Sequence, residues 1–535
     1  MIILGLHKDP WHNSGAAIIR EDGDGPRFAY VAEERLDRVK DSRAFPELST
    51  QACMRELGVG GIEQIDLVVL DYIRDGSDWR RDHFRTPCRT ETFLARIPAN
   101  RITIANHHLM HAYATFCSSR FESAAVLIVD GRGSDNETQS LFLASPEGIK
   151  LVARTDRIGI GLLYAAVTHA IGFGLLQEGK TMGLAPYGAR TQPSVFDFRP
   201  VFDGIRTDYS AFCADGRYDI IAPHRPLKTF DDKARAAWEV QEECERAMLH
   251  LARYTKEKTG ARYLCLSGGV ALNSVANNVL LSSGLFEDIF INPAASDTGI
   301  PLGAALYGYH HLKRQPRRYR EISAFLGPSY STGDIEKAIA RFSGFEVIRQ
   351  DSFRRASELL AENRILGCFQ GRSEMGPRAL GNRSILMSPL LEENKDILNA
   401  RVKRREAFRP FAPACLEEFA QEYFAVDRPS PYMLLVPDVR PEKRGVIPAV
   451  THVDGTARLQ TLTRDRNGHF YDLVNAFHGT SGVPVVLNTS FNMAGEPIVE
   501  TPEDAIRCFL STEIDALLLG EFLLVKNPLT DHPAQ

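Results

Sequence analysis

The chain has 535 residues, of which 44% are hydrophobic and 24% charged, enough length and apolar content for two or three folded domains. The formal net charge of −5 and a pI near 6.3 exclude the global basic surface that long nucleic acids demand, so no nucleic-acid partner is expected. No apolar window approaches the roughly 18 residues of a membrane-spanning helix, and no signal-peptide pattern opens the chain, so the expectation is a cytoplasmic protein without a membrane partner.

Met1–Leu6 is apolar and reads as a buried first strand. It leads into His12-Asn13-Ser14-Gly15-Ala16-Ala17. His12 can take a hydroxyl proton near neutral pH, or can simply hold a polar turn. In Asn106-His107-His108-Leu109-Met110-His111, the histidines 107 and 111 are four apart, and on a helix both imidazoles lie on one face within reach of one cation.

Asp130 ends the apolar run Ala124–Val129, and Asp297 precedes another apolar helix. An α/β sheet presents polar ligands at such strand ends. Two histidines with carboxylate oxygens suit iron(II), manganese or zinc, and helix capping is the other reading of each aspartate.

Three glycine-bearing turns, Asp130–Gly133, Glu178–Gly183 and Ser267–Gly269, offer backbone N–H groups to anionic oxygens. None has the P-loop spacing. Alternating apolar strands, glycine loops and helices are α/β grammar. Nine cysteines (53, 88, 117, 213, 244, 265, 368, 415 and 508) lack any C-x-x-C spacing, which suits reduced, mostly buried thiols.

The charged stretch Lys313–Arg320 reads as a surface linker. Beyond it, residues 370–384 hold three arginines (372, 378, 383) and three glycines (371, 376, 381) among few apolar residues. Guanidinium groups bind phosphate by paired N–H donors, so this loop is expected to bind an anion. The run Arg401-Val402-Lys403-Arg404-Arg405-Glu406 suits a solvated face when taken alone.

Taken together, these segments resemble the O-carbamoyltransferase family that includes nodulation protein U, the cephem carbamoyltransferases and the tobramycin carbamoyltransferase. The motifs that carry the resemblance are Glu178–Gly188, Gly371–Ser384, Phe408–Pro413 and Asn488–Asn492, with His12–Ala17 and Ala32–Arg35 before them. The family usually has aspartate where Asn13 stands.

The resemblance implies two domains. Residues 1–318 would form a TsaD-like domain of the actin-like ATPase (ASKHA) superfold carrying metal and nucleotide, and 319–535 a YrdC-like α/β domain binding carbamoyl phosphate. It implies metal ligands His107, His111, Asp130 and Asp297, with Fe(II), manganese or zinc as the ion. ATP, with Mg²⁺ where required, would lie against Gly131, Gly133, Lys180, Gly183, Gly268, Gly269 and Asn273. Carbamoyl phosphate would lie among Arg378, Lys403, Arg458, Asn488 and Ser490.

By the same resemblance His12, Arg378, Lys403 and Arg458 are the expected catalytic residues. The reaction implied is ATP-dependent transfer of a carbamoyl group, through a carbamoyladenylate, to a hydroxyl of a small natural-product or sugar-containing acceptor in secondary metabolism such as antibiotic biosynthesis. A homodimer is compatible with it. The competing readings are a tRNA threonylcarbamoyl transferase and a nucleotide-binding regulatory protein without turnover.

Overall fold

Ile2–Lys8, apolar but for its last two residues, forms β1, a strand with a buried interior. In this computed structural model the described residues are 1–8, 13–72, 93–188, 193–213 and 223–527. They divide into two units. The first comprises residues 1–37, 41–326 and 375–377, and the second 38–40, 327–374 and 378 onward.

In the first unit β1 is followed by β2 (Ser14–Glu21), β3 (Pro26–Ala32), β4 (Leu67–Tyr72) and β5 (Ile102–Asn106), in a sheet ordered β3-β2-β1-β4-β5. The first three strands pair antiparallel, and β4 and β5 extend the sheet in parallel. After β6 (Ala124–Val129), β7 (Gln139–Ser145) and β8 (Gly148–Thr155) comes a small hairpin of β9 (Val201–Asp203) and β10 (Arg206–Asp208), and then β11 (Tyr263–Ser267) and β12 (Asp288–Ile291).

The second sheet is ordered β12-β11-β6-β7-β8, again an antiparallel trio extended by two parallel strands. The same strand order, 3-2-1-4-5, therefore occurs twice in this unit, although the sequence shows no repeat.

The helix Phe230–Thr259 of this unit begins in a capping box between Thr229 and Asp232 and ends at Gly260 with φ 61°, so both termini are satisfied by local chemistry. Glu178–Gly183, expected as a phosphate-holding turn, lies instead within the helix Glu178–Leu184. Its glycines weaken a helix by only about 1 kcal/mol each, while Thr181 and Leu184 bury one face. Within the charged stretch 313–320, Arg317 lies over the Phe116 ring at 3.9 Å and donates to the carbonyls of Phe121 and Ser119, so this part of the stretch is fastened to the first unit.

The second unit is built on β13 (Phe345–Ile348), β14 (Leu366–Phe369), β15 (Arg383–Met387), β16 (Ala412–Leu416), β17 (Gln460–Leu462), β18 (Val485–Ser490), β19 (Ala516–Leu519) and β20 (Phe522–Lys526), in the order β13-β20-β19-β14-β15-β18-β16-β17. Both faces of this mixed sheet are buried at its central strands, such as β14 and β19, which read as continuous apolar runs. Ile385, Met387, Val485, Leu487, Leu517 and Leu519 point into one apolar layer with the helices Thr332–Ile339 and Pro502–Ser511. Leu386, Val486 and Leu518 point into the other, with Ser352–Ala361 and Gly468–Ser481. The period of two assigns neighbours to opposite layers.

Both units are mixed α/β. Among the described residues eight cysteines are free and buried, and no helix is long and apolar enough to cross a membrane.

Candidate metal centre and anion site

The first cluster sits at strand ends of the first unit. Asn106 closes β5, and its side chain accepts from the Leu109 N–H at 3.0 Å, capping the helix His107–Ser118. That cap starts the helix one residue before His107, so His107 and His111 emerge one turn apart on one face. Asp130 follows β6 directly, and Asp297 follows β12 after a short loop.

The helix Ile300–Leu306 lies close enough to the histidine helix that a Cβ at Gly303 would stand 2.0 Å from the Met110 carbonyl oxygen. Glycine there permits the approach that brings Asp297 to the imidazoles. Gly268, at φ 94° with Val129 O only 2.3 Å from any Cβ, turns the chain so that the Gly269 N–H donates to Asp130 Oδ1 at 3.0 Å.

The four side chains, all buried, bring ligand atoms within 4.8 Å of one another. His107 Nε2 lies 3.5 Å from Asp130 Oδ2 and 3.4 Å from Asp297 Oδ1. His111 Nε2 lies 3.0 and 3.5 Å from the same oxygens. A tetrahedral ion with bonds of about 2.0–2.1 Å sets its ligand atoms about 3.3–3.4 Å apart, so the donor set and its spacing fit a divalent cation.

The other ring nitrogens are already engaged. His107 Nδ1 is 2.9 Å from Asp71 Oδ2. His111 Nδ1 is 3.2 Å from Ser267 Oγ, whose hydroxyl donates to Ala295 O and so receives from the imidazole. An ion bound here would therefore meet an Nε2 lone pair on each ring; that of His107 is buried without a hydrogen-bond partner, and that of His111 lies 3.0 Å from Asp130 Oδ2. Burial opposes charge on His107, but the carboxylates of Asp297, Asp130 and Asp71 outweigh it and hold its pKa well above the ordinary value. Burial and Asp297 push Asp130 up, and the His107 and His111 imidazoles beside it outweigh both and bring it down. A pair of facing carboxylates that draws protons onto imidazole is equally a demand for a cation. His108, between the two, is held neutral by burial and bonded to Ser140 at 2.8 Å.

Of the expected nucleotide contacts, Gly131, Gly133 and Gly268 lie in loops beside Asp130 and Ser267 and Gly269 opens the 3-10 turn Gly269–Leu272, whereas Lys180 and Gly183 lie in the helix described above. Asn273 caps the helix Ser274–Ser282 and bonds Gln241, which in turn accepts from the Tyr164 hydroxyl. His12 lies outside the described residues; Asn13 has a positive φ of 54°, which asparagine tolerates.

The second cluster belongs to the second unit. Of the three arginines in the glycine loop, Arg383 is wholly buried, 3.6 Å over the Phe369 ring, with donations to the carbonyls of Gln370, Gly371 and Asn382. Arg372 Nε donates to Gly327 O at 2.8 Å. Arg378 is different, because no backbone carbonyl or aromatic face engages its guanidinium among the described residues, and its Nε, like those of Arg383 and Arg458, is buried without a partner. Of the loop expected to bind an anion, Arg383 is already occupied by carbonyls and an aromatic face.

The run 401–406 departs from a plain solvated face. Arg401 and Arg404 are exposed, but Lys403 is 3% exposed and donates to Ser490 Oγ at 3.2 Å and to Asn492 Oδ1 at 2.8 Å. Arg405 bonds Asn399 and lies 4.6 Å over Phe411. Burial lowers the pKa of Arg378, Lys403, Arg405, Arg409 and Arg458, and repulsion among them lowers all but Arg409 further. Glu406 is the carboxylate that offsets Arg405 and Arg409. Crowded, desolvated cations with so little counter-charge are a candidate anion site. Asn488 bonds Ala379 O and Gln460, tying β18 to this loop.

Sequence reasoning did not single out Asp71, His7 or Arg409 as site residues. Asp71 carries the signal that identified Asp130, an acid closing an apolar strand.

The buried His/Asp group is a candidate metal site and the desolvated cations a candidate anion site. Residues 88–306 match the carbamoyltransferase N-terminus and residues 357–526 the carbamoyltransferase C-terminus. Nodulation protein NolNO of Sinorhizobium fredii is 37% identical over 98% of this chain and 80% of its own length. Nodulation protein NolO of Bradyrhizobium diazoefficiens is 41% identical over 79% of each. Among solved structures, the HypF of T. kodakarensis aligns at 12% identity and a TM-score of 0.34 over 60% of this chain and 49% of that one, a likeness too loose to bear on activity. The chain belongs to the carbamoyltransferase family and is a carbamoyltransferase enzyme.

Proposed function

We propose that the enzyme uses ATP and carbamoyl phosphate to carbamoylate a hydroxyl of a small-molecule acceptor. The observation that carries this reading is the cation cluster Arg378, Lys403, Arg405, Arg409 and Arg458, whose charge calls for a phosphate-bearing substrate, in a chain that also holds a four-ligand metal group. Unit 1 is read as the TsaD-like, actin-like ATPase domain, supported by its duplicated 3-2-1-4-5 sheets, and unit 2 as the YrdC-like domain.

Water hydrolyses carbamoyl phosphate to carbamate and phosphate, releasing a proton, at the cation cluster, where Arg378 and Arg458 neutralise the phosphate oxygens. Carbamate attacks the α-phosphate of ATP, giving carbamoyladenylate and pyrophosphate. The acceptor oxygen then attacks the carbamoyl carbon and AMP leaves, the hydroxyl proton going to a base for which His12 is the choice. His107, His111, Asp130 and Asp297 would hold iron(II), manganese or zinc, which supplies Lewis-acid stabilisation of oxyanion charge. The glycine N–H groups at 131, 133, 268 and 269, with Asn273 nearby, are assigned to the nucleotide; Lys180 and Gly183 would approach it from their helix.

The test is incubation with isotopically labelled carbamoyl phosphate, ATP and a panel of natural-product alcohols, followed by mass spectrometry. Label in an alcohol with stoichiometric AMP is the expected result. Transfer that needs no ATP would contradict it, and salt-sensitive retention and modification of tRNA would favour a threonylcarbamoyl transferase instead.

A further inference from the structure

A third side-chain group stands behind the metal cluster. β4 pairs in parallel with β1, Leu70 opposite Leu6, and with β5, Asp71 opposite Ala105 and Tyr72 opposite Asn106. That register sets His7, Asp71 and His107 side by side at one end of the sheet. All three are buried, at 1%, 3% and 0% exposure.

Asp71 Oδ1 is 2.8 Å from His7 Nδ1, and Asp71 Oδ2 is 2.9 Å from His107 Nδ1. Although these three groups could also be grouped as ion ligands, separations of 2.8 and 2.9 Å are hydrogen-bond lengths, and ligand atoms around one tetrahedral ion stand about 3.3–3.4 Å apart. The 3.4 and 3.5 Å separations at His107 Nε2 have the ion's spacing, and the Asp71 contacts do not. A carboxylate only accepts, so both imidazoles must donate from Nδ1. When His107 is neutral, as a metal ligand must be, this leaves the Nε2 lone pair facing Asp130 and Asp297.

We propose that Asp71 is a positioning residue of the carbamoyl-transfer site: it fixes the tautomer and ring orientation that present His107 Nε2 to the ion, while His7 holds its second oxygen. This rests on the reading of His107 as a metal ligand. Carboxylates that support metal-bound imidazoles typically change metal affinity about 10–100-fold when lost. Asp71→Asn keeps the size but loses the charge and one acceptor, so one imidazole must give up its donor tautomer or its bond.

The experiment titrates metal-free full-length protein with Co²⁺, a divalent probe with a visible ligand-field spectrum, and follows metal-free thermal melting in parallel. Asp71→Asn is expected to bind Co²⁺ about 10–100-fold more weakly than wild type with a shifted absorption band, at an unchanged stoichiometry. His107→Ala is expected to lose the tight site. If His107→Ala binds Co²⁺ as wild type does, the ligand reading falls and the inference with it. If His107→Ala loses Co²⁺ while Asp71→Asn keeps wild-type affinity and spectrum, the inference alone is overturned. Should Asp71→Asn fail to fold, His7→Asn decides: loosening the carboxylate should weaken Co²⁺ binding and shift the band, and an unchanged titration would overturn the proposal.

Discussion

Arg378 and Arg383 stand five residues apart in one loop and serve opposite ends. Arg383 Nη1 donates to backbone carbonyls, whereas Arg378, its Nε buried, has no such carbonyl partners among the described residues. Arg378→Lys keeps the charge but loses the planar two-pronged donor. It is expected to lower kcat/KM for carbamoyl phosphate by about 1.5–3 kcal/mol, roughly tenfold to a hundredfold, with an intact circular dichroism spectrum; a change under about twofold would make Arg378 mere surface charge. The sequence could not separate the two arginines, because both sit among the same glycines and only burial against Phe369 distinguishes them.

His452, in the same unit, bonds Thr456 at 3.0 Å. Burial lowers its pKa to about 4, from 6.5, with Asp454 opposing and Arg458 and Lys395 reinforcing. As pH falls the unfolded chain takes the proton first, so this contribution to stability is whole above about pH 6.5 and is lost towards pH 4. Replacing His452 with Gln should flatten the fall in unfolding free energy across that interval by about 2–3 kcal/mol, read by urea titration at several pH values. Parallel pH profiles for the two proteins would contradict the assignment.

At the scale of elements, the site depends on the turns by which the chain leaves its strands. The turn after β11 needs Gly268, whose φ and whose distance to Val129 O both reject a side chain. Gly268→Ala is expected to destabilise the protein by about 1–3 kcal/mol and to weaken metal binding, because the Gly269 N–H withdraws from Asp130; wild-type melting and metal content together would refute this. The histidine helix and the aspartates at strand ends were legible because caps, i,i+4 spacing and a charge closing an apolar run are local signals. Glu178–Gly183 misled for the same reason: glycine marks a turn locally, but burial of Thr181 and Leu184 decided for helix. Asp71 showed the right local signal, yet its value lies in its register with β1 and β5, which no single segment encodes.

For the whole molecule, mixed α/β architecture and membership of the carbamoyltransferase family could be expected from motif order alone, while the doubled 3-2-1-4-5 topology could not, since strand order is a matter of long-range pairing. The central claim is that ATP is activated for transfer only when carbamoyl phosphate is held by the cations of the second unit. Pyrophosphate release from ATP, measured without acceptor and with carbamoyl phosphate present or absent, tests it most directly. Carbamoyl-phosphate-dependent release is expected from the wild type, and its loss in both Arg458→Ala and Lys403→Ala, each still binding ATP. Undiminished release by either variant, or release that ignores carbamoyl phosphate, would contradict it.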